Sequence, residues 1–433
     1  MPDDGITLLC TGDLHLGRRP SRLPGGVSPA PLSTRQGWEH VVRAAIEQRA
    51  DAVVVAGDIG DRENRYFEAF GAFEAGVATL EEAGIPIVAV AGNHDAEFFS
   101  RLVDAVDADN LHALGTGGEW ELLQVGTDTE TSIEFVGWSF PRRHVVESPL
   151  SSYSAVETDV PFRIGVLHAD LDAQASNHAP VTTAELRSTP LDCWILGHIH
   201  TPGIRHDENP LVVYPGSPQP LDPGEPGRHG PWVVRWTPET GWDADQLGTA
   251  TVRYETISVD VRGVPDPEGT LPAISTAIEE TLATIEQPGL SVLLPRIRLM
   301  GRCPAHGALA NQATALEERI AIETDGVHVS PEKVVIETAP DVDLTDLAGD
   351  TGPVAYLAEL LISLEEDDLD DSHQALLAQA GRAVRSAHSA PPYDLLRREG
   401  DDTTPDDVDA RDALEREAHR LLEELLAQKE GGG

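Results

Sequence analysis

The chain has 433 residues, too many for one compact core, so two or three domains are expected. It carries 31 basic and 74 acidic side chains and a net charge of −43, and only Lys333 and Lys429 are lysines. This charge excludes long-range attraction to a polyanion at low salt. Carboxylates spread along the whole chain, with so little lysine, are typical of proteins from salt-accumulating halophiles. A generic acidic tail does not explain this composition, because its carboxylates would be confined to one end of the chain.

The three cysteines, Cys10, Cys193 and Cys303, lie far apart and form no CxxC pair, which argues against a disulfide or zinc framework. The first ten residues carry aspartates where a signal peptide needs basic residues. No apolar run approaches the roughly 20 residues that span a bilayer. We therefore expect a cytoplasmic protein without a membrane partner.

Residues 1–250 are predicted to form an α/β domain of mixed β-sheets flanked by helices. Short apolar runs alternate with helical spacing, as in "TRQGWEHVVRAAIEQRA", and the later runs lie closer together with little helix between them. The runs, in chain order, are "ITLLC", "DAVVVA", "IPIVAVA", "SIEFVGW", "FRIGVL", "CWIL", "LVVY" and "PWVVRW". This alternation predicts a layered fold in which the later strands are antiparallel or mixed.

A smaller α+β domain is predicted over residues 251–340, followed by a helical segment over 341–398. Residues 399–409 are acidic and have few apolar side chains, which predicts a flexible linker. Residues 410–433 are predicted to form an amphipathic helix. Its apolar stripe consists of Leu414, Ala418, Leu421, Leu422 and Leu425. The stripe could dock on its own domain or on a partner protein, and the sequence favours neither.

Polar side chains follow five of the apolar runs where each predicted strand ends. In chain order they are Asp13 and His15; Asp58; Asn93, His94 and Asp95; His168; and His198 and His200. Since strand ends converge at one edge of an open α/β sheet, these side chains are expected to lie together. One such motif alone also fits a helix-capping aspartate or a buried histidine, but five in this order favour a metal site.

Two divalent metal ions are expected at this edge. Oxygen and imidazole donors without thiolate suit Mn²⁺, Fe or Zn²⁺, and one carboxylate can bridge two ions about 3.5 to 4 Å apart. The D-x-H and H-x-H spacings would place alternate side chains on one side of an extended strand end. Two ions there would neutralise phosphate oxygens and favour deprotonation of a water between them.

The motif order "GDLHLG", "GD", "GNHD", "H", "GHIH" resembles the calcineurin-like metallophosphoesterase superfamily. "LHADLDAQ" and "VVYPGSPQPLDPGEPGRHGPWVV" are similar to DNA repair exonucleases of the SbcD type, including their YhaO-like branch. "RIRLMGRCPAHGAL" resembles that family's capping domain. The resemblance covers about residues 5–340. It implies a metallophosphoesterase fold with a smaller α+β capping domain and a C-terminal helical segment.

The resemblance also implies the roles of individual residues. One metal would be held by Asp13, His15, Asp58 and His200, and a second by Asp58, Asn93, His168 and His198, with manganese the expected ion. His94 would be catalytic, meeting the scissile phosphate and helping to protonate the leaving group, and Asp95 would orient it. A hydroxide held by the two metal ions would hydrolyse the phosphodiester.

DNA is the expected substrate, bound by short-range contacts. The chain departs from the family pattern after Asp58, where "IGDRENR" lacks the aromatic or histidine residue that often meets DNA. Whether the enzyme acts as exonuclease or endonuclease therefore stays open. Candidate substrate-binding residues are Arg18, Arg19, Arg22, Arg62, Arg65, Arg142, Arg143 and His178. Each arginine could instead pair with the abundant carboxylates.

Three functions are compatible with this reading. The first is a manganese-dependent DNA nuclease in double-strand-break repair. It would work with a coiled-coil ATPase of the SbcC type, which the terminal helix could bind, and the nuclease could also form a homodimer. The second is a metallophosphoesterase for a small phosphodiester or nucleotide, which would need neither a capping domain nor a terminal helix. The third is a catalytically silent scaffold subunit, against which the complete ligand set argues.

Overall fold

The structure is a computed structural model. It describes residues 5–20, 29, 32–61, 66–126, 132–155, 159–173, 175–320, 322–324, 326–341, 343–388 and 407–431. The chain packs as two compact units. The first comprises Met1–Ile257, Glu280–Ile297 and Glu317–Lys333, and the second comprises Ser258–Glu279, Arg298–Leu316 and Val334–Gly433. The domain boundaries predicted at residues 250 and 340 stay predictions.

The first sheet of the first unit carries the start of the chain. Its strands are β1 (Ile6–Thr11), β2 (Ala52–Val55), β3 (Ile87–Ala89), β4 (Leu111–Ala113), β13 (Trp232–Thr237) and β14 (Gly241–Gln246), in the order β14-β13-β1-β2-β3-β4. Strands β1 to β4 run parallel, and β13 and β14 add antiparallel neighbours. All four residues of β2 are buried, as expected of a central strand covered on both faces.

Three helices cover one face of this sheet, namely α1 (Thr34–Gln48), α2 (Tyr66–Glu82) and α3 (Phe99–Val106). Trp38, Phe73 and Phe99 pack from these helices into a cluster with Leu9 and Val53 of the sheet. Each of these five side chains is at most 1% exposed. The first strands are thereby held rigidly up to the residue where each one ends.

A second sheet covers the other face. Its strands are β5 (Glu121–Gly126), β6 (Ser132–Trp138), β7 (Phe162–His168), β10 (Cys193–Gly197), β11 (Gly203–His206) and β12 (Leu211–Tyr214), in the order β11-β12-β10-β7-β6-β5. The pair β8 (Asp170–Leu171) and β9 (Pro180–Val181) precedes α4 (Thr183–Arg187). Leu8 and Val54 of the first sheet pack against Ile164 and Ile195 of the second. Mixed sheets flanked by helices confirm the predicted fold class.

The smaller α+β element contains a third sheet. Its strands are β15 (Val252–Asp260), β16 (Val292–Cys303), β17 (Ile322–Thr324), β18 (Val327–Val329) and β19 (Lys333–Pro340), in the order β15-β16-β18-β17 with β19 on β16. The helices along this part of the chain are α5 (Thr270–Thr284), α6 (His306–Leu309) and α7 (Ala313–Ile320). The third cysteine, Cys303, is buried like the other two.

Four helices complete the second unit, namely α8 (Leu344–Ala348), α9 (Pro353–Glu366), α10 (Asp371–His388) and α11 (Asp407–Gly431). Helix α11 begins within the predicted linker, so residues 407–409 are helical; the rest of the linker lies outside the described residues. Among the described residues, no helix is both long enough and apolar enough to cross a membrane.

The terminal helix α11 packs on helices of its own unit. Ala418 and Leu422, at 2% and 0% exposure, join a core cluster with Leu361 and Leu364 of α9. Leu421, the neighbouring member of the stripe, is 38% exposed. Of the two alternatives that the sequence left open for the apolar stripe, the structure shows docking within the chain.

Adjacent leucines of α11 allow a test of this docking. Leu422→Ala should destabilise the protein by about 2 to 5 kcal/mol, because it leaves a cavity in the cluster. Leu421→Ala is the matched control and should change stability by less than about 0.5 kcal/mol, because it removes an exposed side chain. Guanidinium unfolding of both variants measures the difference; equal losses would contradict the packing described here.

Candidate metal centre

The predicted metal ligands lie at the carboxyl ends of strands from two facing sheets. Asp13, Asp58 and Asn93 follow β1, β2 and β3 of the first sheet, whereas His168 is the last residue of β7. His198 and His200 follow β10 of the second sheet. Because the two sheets pack face to face through their apolar side chains, these strand ends meet at one edge.

The backbone at this edge is not extended. Asp13, His15, Asp58 and His198 have φ values of 49°, 41°, 52° and 99°. Residues with a side chain rarely adopt these values, because Cβ approaches the backbone carbonyl. The expectation that alternate side chains of an extended strand end would point to one side was therefore wrong in its geometry. Left-handed turns bring the side chains together instead.

Glycines before two of the ligands allow the strand ends to close on one another. A Cβ on Gly92 would lie 2.1 Å from Asp58 Oδ1, and a Cβ on Gly197 would lie 1.8 Å from the carbonyl oxygen of Ala56. Neither glycine has a positive φ. Both are needed for close approach, because any side chain at these positions would push the two strand ends apart.

The ring of His168 faces the site with its Nε2 atom. Its Nδ1 lies 2.9 Å from the carbonyl oxygen of Ala56, which can only accept, so Nδ1 carries the proton. In the neutral ring Nε2 then has a lone pair, and it lies 3.0 Å from Asn93 Oδ1 and 3.4 Å from Asp58 Oδ2. Three acceptors this close repel one another unless a cation lies among them.

The ring of His200 is oriented in the same way by a buried carboxylate. Its Nδ1 donates to Glu225 Oε1 at 2.8 Å, and its Nε2 lies 3.1 Å from His15 Nε2. The other oxygen of Glu225 accepts from the Ser217 hydroxyl at 2.8 Å and from the Leu221 amide at 3.0 Å. A carboxylate behind a histidine is the usual arrangement that fixes a ligand ring toward a metal.

Three groups of side chains could therefore hold a divalent cation. Asp13, His15 and His200 form the first, Asp13, Asp58 and His168 form the second, and His15, Asp61 and His94 form the third; in each, the donor atoms lie within 4.8 Å of one another. Asn93 adds an oxygen to the second group through its approach to His168. The backbone amide of His198 donates to both oxygens of Asp13, at 3.1 and 3.2 Å. The ring of His198 lies against that of His168, with centroids 5.3 Å apart.

Electrostatics also favour bound cations. Burial raises the pKa of Asp13, against the opposing effect of His200 and His168. Burial and the neighbouring histidines lower the pKa of His15 and of His198 well below the usual value, so both rings are neutral near pH 7. Neutral imidazole is the form that binds a metal ion.

His94 lies at the partly open side of this edge, with its ring centroid 5.1 Å from that of His15. Its amide donates to Asp58 Oδ1 at 2.9 Å, and its side chain is 29% exposed. Asp61 is the carboxylate beside its ring, with Oδ2 3.6 Å from Nδ1. This carboxylate, opposed by burial, raises the pKa of His94.

Asp95 is fully buried and accepts two backbone amides. They come from Ile59 and Gly92, each at 2.7 Å, so its contacts join the turns after β2 and β3. Its predicted role in orienting His94 stays a prediction. Asp61 was not predicted from the sequence, although it lies three residues after Asp58 in the stretch "IGDRENR".

The remaining candidates are the residues predicted to bind substrate. The guanidinium of Arg18 forms an ion pair with Asp61, whereas Arg19 is exposed. Arg142 and Arg143 are exposed, and the ring of His178 lies 4.7 Å from that of His198 between centroids. Arg22, Arg62 and Arg65 lie outside the described residues. Glu225 was not predicted from the sequence either, although it lies in the stretch "GEPGRHG".

A family profile described as the calcineurin-like phosphoesterase superfamily domain matches residues 8–230, more than half of the chain. The chain belongs to this superfamily. A second profile, described as the middle domain of metallophosphoesterase YhaO, matches residues 254–339. The resemblance seen in the motifs is thus confirmed for the superfamily and for its YhaO-like branch. Membership makes the chain a phosphoester hydrolase whose histidine and aspartate groups can bind divalent metals.

Three relatives of known sequence extend this assignment. The chain is 27% identical to the uncharacterized metallophosphoesterase YhaO of Bacillus subtilis over 384 residues, which cover 86% of this chain and 90% of the relative. It is 22% identical over 381 residues to the DNA double-strand break repair protein Mre11 of Haloferax volcanii, covering 85% and 81%. It is 28% identical over 225 residues to the Mre11 protein of Aeropyrum pernix, covering 49% and 54%.

Metal binding to this phosphoesterase should release a proton from His200. Burial lowers the pKa of His200, but the hydrogen bond to Glu225 and the charges of Asp13 and Glu225 outweigh it and raise the pKa to about 9. Since this is above the usual value, the metal-free ring is protonated below about pH 9 and loses its proton above it. Affinity for Mn²⁺ should therefore fall as the pH drops below that value.

Glu225→Gln tests the source of this proton. The amide removes the charge that raises the pKa of His200, so about one proton fewer should be released on Mn²⁺ binding at pH 7.5. Calorimetry in two buffers of different ionisation enthalpy measures proton release. Glu47→Gln, an exposed site on α1, serves as the control and should match the wild type. Unchanged proton release in Glu225→Gln would contradict the assignment.

Proposed function

We propose that this phosphoesterase is a DNA phosphodiesterase, an exonuclease or endonuclease that acts in double-strand-break repair. The observation that carries the proposal is that His168 Nε2 approaches Asn93 Oδ1 and His200 Nε2 approaches His15 Nε2, so that donors from both sheets meet beside the partly exposed ring of His94. The choice of DNA is supported by similarity to two proteins named for DNA double-strand break repair.

The proposed ligands are the seven predicted from the sequence. They are Asp13, His15, Asp58 and His200 for one ion and Asp58, Asn93, His168 and His198 for the other, with Asp58 shared. Bound divalent ions, for which we propose Mn²⁺, would neutralise phosphate oxygens and lower the pKa of a coordinated water. The protein itself contributes the fixed ring orientations, because Ala56 and Glu225 hold the Nδ1 protons of His168 and His200 away from the site.

His94 is proposed as the group that meets the scissile phosphate and gives a proton to the leaving oxygen. The hydrogen bond from its backbone amide to Asp58 Oδ1 holds His94 beside the donors. The nearby carboxylate of Asp61 raises the pKa of His94, so the ring carries a proton closer to neutral pH. Asp61 is therefore a better candidate than Asp95 for orienting His94, and Asp95 is proposed to hold the two turns that carry Asp58 and His94.

The protein is proposed to be cytoplasmic, and residues 251–340 are proposed to form the capping domain.

The acidic composition is typical of proteins from salt-accumulating halophiles. At molar salt the Debye length is ~3 Å, so most of the 74 acidic side chains would not repel DNA. We propose a coiled-coil ATPase of the SbcC type as partner. Since Ala418 and Leu422 of α11 are buried within the second unit, such a partner would contact a surface other than the apolar stripe of this helix.

Two substitutions separate catalysis from metal binding. His94→Ala should lower kcat by roughly 10²- to 10⁴-fold and leave Mn²⁺ stoichiometry unchanged, because it removes a proton donor only. Asp58→Ala should lower both, because it removes the shared ligand. Metal content by elemental analysis and kcat with end-labelled DNA, whose leaving alkoxide needs a proton, give the two readouts. A His94→Ala enzyme of near wild-type rate would refute the assigned role.

The substrate is tested with end-labelled duplex and single-stranded DNA in about 1 M KCl with Mn²⁺, with and without the product of any neighbouring ATPase gene. We expect cleavage of DNA ends that depends on Mn²⁺. Hydrolysis of bis(p-nitrophenyl) phosphate without DNA cleavage would favour a small phosphodiester or nucleotide as substrate. Failure to bind any ion at saturating Mn²⁺ would instead favour a silent scaffold subunit.

A further inference from the structure

Three imidazole rings form a row that leads outward from the metal centre, and we propose that its outer two, His178 and His144, stack on an unpaired nucleobase of the substrate. The centroids of His198 and His178 lie 4.7 Å apart, and those of His178 and His144 lie 5.8 Å apart. Both separations are in the range of aromatic contacts. His178 is half-buried and His144 is exposed, so the row ends at the surface. The inference rests on the proposed action on DNA.

The outer rings are held by two loops that are joined to each other. The amide of Val145 donates to the Asn177 carbonyl, and the amide of Ala179 donates to the Val145 carbonyl, both at 2.8 Å. Ala179 is fully buried and has a φ of 52°, which residues other than glycine avoid. His178 is therefore held in a fixed direction by a neighbour that packs in the core. A ring fixed before binding loses little conformational freedom when a base stacks on it.

Positive charge accompanies the row. Arg142 and Arg143 are exposed on the loop that carries His144, and Arg142 Nε donates to the His144 carbonyl at 3.1 Å. Within the described residues neither arginine forms an ion pair, although the chain has 74 acidic side chains. Rings beside two arginines match a base with its adjoining phosphates. A base inside a duplex is already stacked and paired, so the row fits a single strand or a frayed end.

The test removes the stacking contact from the DNA, with an abasic site, and from the protein, with a substitution, and measures the effect of each on KM. The substrate is a single-stranded oligonucleotide in which one abasic site is placed in turn at each of three nucleotides on either side of the cleaved bond. For one position, the abasic site should raise the wild-type KM by roughly 5- to 150-fold, the effect of losing one stacked base. His178→Ala should raise KM for the intact strand by a similar factor, and the abasic site should then add little.

A conservative variant and a control histidine make the result specific. His178→Phe keeps a ring and should restore most of the wild-type KM, whereas His112→Ala, at a half-buried position in β4, should leave KM unchanged. Since stacking of neutral rings is little screened by salt, the penalty of His178→Ala should be the same in about 0.1 and 1 M KCl. His144→Ala should show the same pattern with a smaller effect, because His144 lies at the exposed end.

Each failure has its own signature. DNA cleavage with equal KM for wild type, His178→Ala and the abasic strands would overturn the stacking site and leave the proposed function intact. Loss of a bound Mn²⁺ ion in His178→Ala, without rescue by His178→Phe, would show that the row binds metal rather than a base. Hydrolysis of bis(p-nitrophenyl) phosphate without any cleavage of DNA would refute the proposed function, and this site with it.

Discussion

The hydrogen bond from His168 Nδ1 to the Ala56 carbonyl, 2.9 Å long, is the contact on which the centre depends. It joins the end of β7 in one sheet to the end of β2 in the other, and it decides which ring nitrogen faces the site. It forms only because Gly197 has no Cβ, which would lie 1.8 Å from the same carbonyl oxygen. The position of one backbone oxygen thus controls both the distance between the sheets and the chemistry of the ring.

The positions of the ligands could be predicted from sequence because the signal is local. Each ligand follows an apolar run, and strand ends of one sheet must share an edge. Asp61 and Glu225 could not be assigned in this way, because their partners His94 and His200 lie 33 and 25 residues away and no periodicity relates them. The apolar stripe on α11 could also be predicted from the sequence. Amphipathicity shows only that one face of a helix must be buried, however, and it does not show that Leu361 and Leu364 of α9 pack against this face.

The acidic side chains of this molecule act differently at long range and at short range. The net charge of −43 describes the surface as a whole, and at high salt it acts over only a few ångströms. At the centre, by contrast, Asp13 and Asp58 are 1% exposed and act on His200 and His168 with little screening. A protein can therefore be strongly acidic and still handle an anion, provided that cations and arginines lie where the substrate touches it.

The left-handed backbone at Asp13, His15, Asp58 and His198 bears on how such a centre could decay. Each of these conformations costs of order 1 kcal/mol for a residue with a side chain, a total that is large beside a net stability of about 5 to 15 kcal/mol. Glycine at any of the four would relieve the strain and remove a ligand. Stability and metal binding are therefore opposed at these four positions, because the exchange that relieves the strain is the one that removes a donor.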